Sequence, residues 1–229
     1  MQMSEVVEEY TSLIPVLNRL GIRLGLGDKS VAEICEEHDV DTDFLLTVIN
    51  TFLNEEYFPE KKLRTFHLSQ IIDYLTKTNH YYEQYQLPNI ERHLKSFLSM
   101  SAGNPTLTLI GRFFASFKEK LLCRIRKDDE QWFPYCLELS RKLATNPDID
   151  TERGFLLPSA ESVDDQIEAL LADLKRIMVK HLSGNYNDNL CYAVIFAISS
   201  LEKDIKQHNR IRYRILEPMV STMETLCNP

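Results

Sequence analysis

The chain has 229 residues and a mass of 26.7 kDa, with 44% hydrophobic residues, 26% charged residues and only 7 Gly and 9 Pro. That balance excludes a disordered or fibrous chain and fits a folded, helix-rich one with a sizeable core. The net charge is −8, and the longest apolar run, over 190–201, is interrupted by Ser199 and Ser200 and falls short of a membrane span. The first residues are acidic and lack both the basic start and the apolar core of a signal peptide, so a cytoplasmic location without membrane contact is expected. Five cysteines, none in CxxC or CxH spacing, predict reduced thiols with neither a disulfide framework nor a zinc site.

In chain order, residues 1–60 hold 13 acids against 3 bases and read as a small acidic helical domain. Its helices are predicted over 5–20, 30–38 and 42–54, with Ser30 and Thr42 as N-caps. Gly21, Gly25 and Gly27 punctuate the first connection. The second and third helices mimic a helix-turn-helix, yet the would-be recognition helix from Asp43 to Asn50 carries no Lys or Arg to meet phosphates. No nucleic-acid partner is expected, which argues against a transcription factor.

Residues 61–229 read as four long helices over 68–100, 105–144, 159–182 and 187–226, joined by short breaks, which predicts an up-down four-helix bundle. Each helix offers one apolar stripe. The first is Ile72, Thr76, His80, Glu83, Leu87, Ile90, Leu94 and Phe97. The second is Ile110, Phe114, Phe117, Leu121, Arg124, Asp128, Gln131 beside Trp132, and Tyr135. The third is Val163, Ile167, Leu170, Leu174 and Ile177. The fourth is Val194, Ile198, Leu201, Ile205, His208, Arg212, Ile215 and Met219.

Three of the four stripes are broken once by a pair of ionisable residues: His80 with Glu83, Arg124 with Asp128, and His208 with Arg212. Burying such groups singly costs several kcal/mol each, so they are expected to meet in one polar core layer. Arg124, Asp128 and Pro134 share their spacing with His208, Arg212 and Pro218, 84 residues later, and the prolines predict kinks near the layer. The layer balances its own charge: Glu83 and Asp128 against Arg124 and Arg212, with both histidines neutral.

A His, an acid four residues on and a Pro six further, repeated on two helices, resembles the ligand pattern of the hemerythrin-like di-iron proteins. Within them the chain is similar to the ScdA-like iron-sulfur-cluster repair family. The stretches from Ile72 to Pro88, from Asp128 to Tyr135 and from Leu201 to Pro218 resemble its bundle helices, and the segment from Leu13 to Cys35 resembles its small N-terminal domain. The resemblance implies an all-α protein with a hemerythrin-like bundle and a degenerate metal site. Arg124 stands where a ligand histidine is expected and Arg212 where a bridging glutamate is expected, while Val163 or Asp164 replaces the third helix's histidine. Gly25 and Leu26 stand where the family has a cysteine pair.

The expected function is therefore a non-catalytic binding or regulatory relative, linked through the family to oxidative or nitrosative stress. A homodimer is among the arrangements implied, and the protein partner or small ligand is not identified. No cofactor is favoured. The alternative is an iron protein binding oxygen or nitric oxide or serving iron-sulfur repair, with His80, Asp128 and His208 as a two-histidine, one-carboxylate metal set.

Overall fold

The structure, a computed structural model, describes residues 1–100, 105–145 and 160–227, and the side chains within them except those of 105, 160–165 and 227. Among the described residues the regular secondary structure is helical, joined by short turns and loops, apart from an isolated antiparallel bridge between Gln2 and Ser30.

The N-terminal segment folds as α1 (Met3–Glu9), a 3₁₀ turn (Thr11–Leu13), α2 (Ile14–Arg19), α3 (Val31–Glu37), α4 (Thr42–Leu53) and α5 (Glu60–Leu63). The single helix expected over 5–20 is thus divided. Pro15 supplies no N–H and sits in the first turn of α2, where a missing donor costs nothing, so the chain restarts there. Ser30 caps α3 as expected, with Glu33 completing a capping box through a 2.7 Å bond from the Ser30 N–H. Asp41, not Thr42, caps α4: its carboxylate accepts the Phe44 N–H at 2.7 Å while Thr42 is already helical. At Gly21 the backbone takes φ +79°, the left-handed conformation that lets α2 end sharply.

The remainder comprises α6 (Leu68–Tyr81), α7 (Leu87–Ser99), α8 (Pro105–Lys127), α9 (Phe133–Thr145), α10 (Ala160–His181), α11 (Asp188–Ile211) and α12 (Glu217–Cys227). Three five-residue π-helical segments connect α6 to α7, α8 to α9 and α11 to α12 without breaking the rods. Helices α7, α8, α10 and α11 pack each against the next, and α11 packs back against α7. The bonds from Asn209 to Glu168 and from Lys175 to Glu202 make α10 and α11 antiparallel. Lys118 to Glu91, with Gly111 beside Leu98, does the same for α7 and α8, and the ring contacts Tyr82 with His208 and Phe97 with Tyr186 do so for α7 and α11. On α10 the inward stripe is Ile167, Leu171, Leu174 and Met178; Val163 and Asp164 lie outside the described side chains.

Two apolar clusters result. One fills the ring of four helices, with Phe97, Phe117, Leu174 and Ile198 among its members. The other joins the N-terminal segment to the far ends of the rods, through Leu17, Leu45, Leu75, Trp132 and Ile215. Buried polar residues separate them: Thr78 and Asn79 on α6, Arg124 on α8 and Asp128 just after it, His208 and Asn209 on α11 with Arg212 just after it.

Candidate functional site: a polar layer at three π segments

The three π segments are copies of one local solution. They span Tyr82–Gln86, Asp128–Trp132 and Arg212–Leu216, and a proline follows each by two residues: Pro88, Pro134 and Pro218. A proline within a rod lacks an N–H and collides with the carbonyl four residues before it. Widening the preceding turn relieves that collision. The residue after each segment accordingly donates five residues back: Leu87 to Tyr82, Phe133 to Asp128 and Glu217 to Arg212.

Aligned on their prolines, the rods present two inward rows at one level: Thr78, Arg124 and His208, then Tyr82, Asp128 and Arg212. All six are buried. Arg212 Nη2 donates to Asp128 Oδ1 at 2.7 Å, with the two side chains only 7% and 2% exposed. The same guanidinium lies 4.2 Å from the centroid of Trp132 and donates through Nη1 to Tyr213 Oη at 3.0 Å, with Glu217 Oε1 at 3.5 Å. Arg124 donates to Asn209 Oδ1 at 2.9 Å, and Asn209 passes the chain of bonds on to Glu168 of α10 at 2.6 Å. Each guanidinium therefore meets oxygen acceptors or an aromatic face, which is how buried arginines are accommodated.

The N-terminal segment contributes a third guanidinium. Arg19, at the last position of α2, pairs with buried Asp204 of α11 and reaches Tyr74 Oη at 3.4 Å. It lies 4.9 Å and 5.7 Å from the ring centroids of Tyr81 and Tyr82. Tyr82 in turn sits 5.9 Å, centroid to centroid, from His208. Burial first, then the charges of Arg124 and Arg212, hold the His208 imidazole well below its usual range; the opposing influence of Asn209 is smaller. Among the described residues, neither His208 ring nitrogen nor the Tyr82 hydroxyl meets a hydrogen-bond partner. Burial likewise raises the Tyr82 phenol, and it raises Asp129, which accepts from Asn79 at 3.1 Å.

Of the expected layer, Arg124, Asp128, His208 and Arg212 are brought together. His80 and Glu83 are not: both are exposed on the outer face of their rod. The π segment is the reason. Counting back from Leu87 and Ile90 at 3.6 residues per turn leads to Glu83, His80 and Thr76, but the extra residue of the π turn shifts the phase by one. The inward positions before it are therefore Tyr82, Asn79 with Thr78, and Leu75. Tyr82 is fully buried on the inner stripe. The metal set of His80, Asp128 and His208 does not converge, and no group of three or more His, Cys, Asp or Glu side chains poised for a metal ion occurs among the described residues. Cys123, beside Arg124 in sequence, points outward and is exposed.

The sequence reading missed Arg19, Asp204, Asn79, Asn209 and Tyr82. Two signals were present: Asp204, His208 and Arg212 recur every four residues, and Pro88 follows Tyr82 by the same six residues that separate Pro134 from Asp128 and Pro218 from Arg212. Among known proteins, no family and no curated sequence matches the chain. No helix among the described residues is long and apolar enough to cross a membrane.

Proposed function

We propose that the chain is a non-catalytic binding or regulatory protein on a hemerythrin-like four-helix frame, related to the iron-sulfur-cluster repair proteins, in which guanidinium–carboxylate pairs stand where such proteins hold iron. The observation that carries this reading is the buried pair of Arg212 with Asp128, seated at the level where the resemblance places metal ligands. The in-sequence antiparallel ring of α7, α8, α10 and α11 supports the frame.

The residues at this level do not fit a di-iron centre. Such a centre takes several imidazoles and bridging carboxylates from facing helices. Here one imidazole, His208, enters the layer, and burial, with Arg124 and Arg212 beside it, holds its proton affinity well below the usual range. A divalent cation placed there meets two fixed positive charges in a poorly screened interior. His80, the second histidine of the metal set, faces outward. The link to oxidative or nitrosative stress rests on the resemblance alone.

The test is metal content, measured on the purified protein before and after incubation with iron(II). Colourless protein, with a melting temperature unchanged by iron or by a chelator, is the expected result. Iron held in stoichiometric amount and lost in His208→Ala overturns the reading.

A further inference from the structure

Between α1 and α4 lies an open groove of about 840 Å³. Its apolar lining includes Val6, Val31, Leu46, Ile49 and Leu53, and three large side chains stand beside them exposed to water: Met1 at 77%, Tyr10 at 41% and Tyr57 at 41%. The wall from α4 is Leu46, Ile49, Asn50 and Leu53, with Asn54 just past its end. The helical positions are spaced three, four and seven residues from the first, so they form a straight ridge roughly 10 Å long. A ridge of this kind beside an apolar trough is what a partner helix packs into, with its own stripe at matching spacing.

The ionisable residues lining the groove are of one sign. Glu5 and Glu9 of α1 are both exposed, and no Lys, Arg or His lines it. Glu56 directly precedes Tyr57, while Glu55 lines a separate pocket with Lys206, Arg210 and Arg214, and Arg210 donates to the Tyr57 carbonyl at 3.3 Å. A nucleic-acid backbone or an anionic membrane is repelled by this rim. A second copy of the chain would bring two acidic rims together. A cationic helix alone satisfies both the apolar trough and the acidic edge.

We propose that the groove between α1 and α4 receives a basic amphipathic helix of a partner protein, its apolar stripe on Leu46, Ile49 and Leu53 and its Lys or Arg residues against Glu5 and Glu9. The inference is independent of the polar layer, which lies on other helices.

The experiment selects from a displayed library of random helix-forming peptides against the full-length protein, then measures the enriched peptides by fluorescence anisotropy. Enriched sequences are expected to carry apolar residues three, four and seven apart beside Lys or Arg. Their affinity is expected to fall roughly tenfold in Leu46→Glu and in the double variant Glu5→Lys/Glu9→Lys, and to weaken with added salt. Glu5 also accepts the Gln2 N–H at 3.2 Å in the capping box of α1. The single variant Glu9→Lys, at an exposed position outside that box, therefore reports on binding apart from any effect on the helix end, and circular dichroism checks the fold of the double variant. Enrichment of neutral or acidic peptides, no enrichment, affinity unchanged in Glu5→Lys/Glu9→Lys, dimerisation abolished by Leu46→Glu, or binding to phosphatidylserine vesicles overturns the proposal.

Discussion

Arg212 and Asp128 each occupy the first residue of a π segment, on different rods, and meet at 2.7 Å in the centre of the protein. The widened turns put both side chains at the same height, and the indole of Trp132, at the end of the segment that Asp128 opens, covers the guanidinium at 4.2 Å. Removing one partner leaves the other buried and uncompensated. Asp128→Leu and Arg212→Met are each expected to cost about 3–5 kcal/mol in urea unfolding. The double variant Arg212→Met/Asp128→Leu should cost far less than their sum. Additive losses would mean the two groups do not act as a pair.

Arg19 fastens the N-terminal segment to α11 through Asp204. Arg19→Met retains much of the apolar stem and strands the Asp204 carboxylate, so the contact of α2 with the rods weakens first. Hydrogen exchange is expected to accelerate in α2 and the start of α6 before it changes in α8 or α10. Uniform acceleration throughout the chain would contradict this order.

His208 gives the stability a pH dependence of known sign. Its folded-state affinity for protons is lowered by burial and by the facing Arg124 and Arg212, with Arg19 adding a smaller push. Below its ordinary value of about 6.5 the unfolded chain takes up a proton that the folded chain refuses, so stability is full above that pH and declines as pH falls. The slope attributable to one such group is about 1.4 kcal/mol per pH unit. Unfolding curves measured between about pH 7.5 and 5.5 should show the wild type losing about 1.4 kcal/mol in total relative to His208→Asn, because the full slope is reached only well below about 6.5. Parallel pH profiles would show that the imidazole titrates normally.

The π segments make a further prediction about chain length. Deleting exposed Gln131 turns the second segment into ordinary α-helix while keeping the inward phase on both sides, but it sets Pro134 against the carbonyl four residues earlier. The deletion alone should cost about 3 kcal/mol, and adding Pro134→Ala should restore most of it. No recovery in the combined variant would show that the π turn serves something besides the proline.

Much of the helical layout could be read from the sequence, because apolar stripes such as Val194, Ile198, Leu201 and Ile205 keep one period over several turns. The second and fourth stripes remain buried through their polar interruptions. Their polar pairs lie before or at the start of the π turn and keep the phase of the apolar positions upstream. The first stripe instead reaches its pair by counting back across the π turn, which slips by one residue and exchanges buried Asn79 and Tyr82 for exposed His80 and Glu83. Periodicity carries no mark of the extra residue; only the proline six positions later does. Arg19 was hidden for another reason. Its partner Asp204 lies 185 residues away, and nothing local distinguishes a terminal helix arginine that enters the core from one that points to water.

The occupancy of the central layer is the question on which the functional reading turns. Crystals of the protein soaked with iron(II), with diffraction recorded above and below the iron absorption edge, answer it most directly. The expected result is continuous density between Arg212 and Asp128 with no anomalous peak beside His208. An anomalous peak at coordination distance from the His208 ring, with the Arg212 side chain displaced from Asp128, would contradict it.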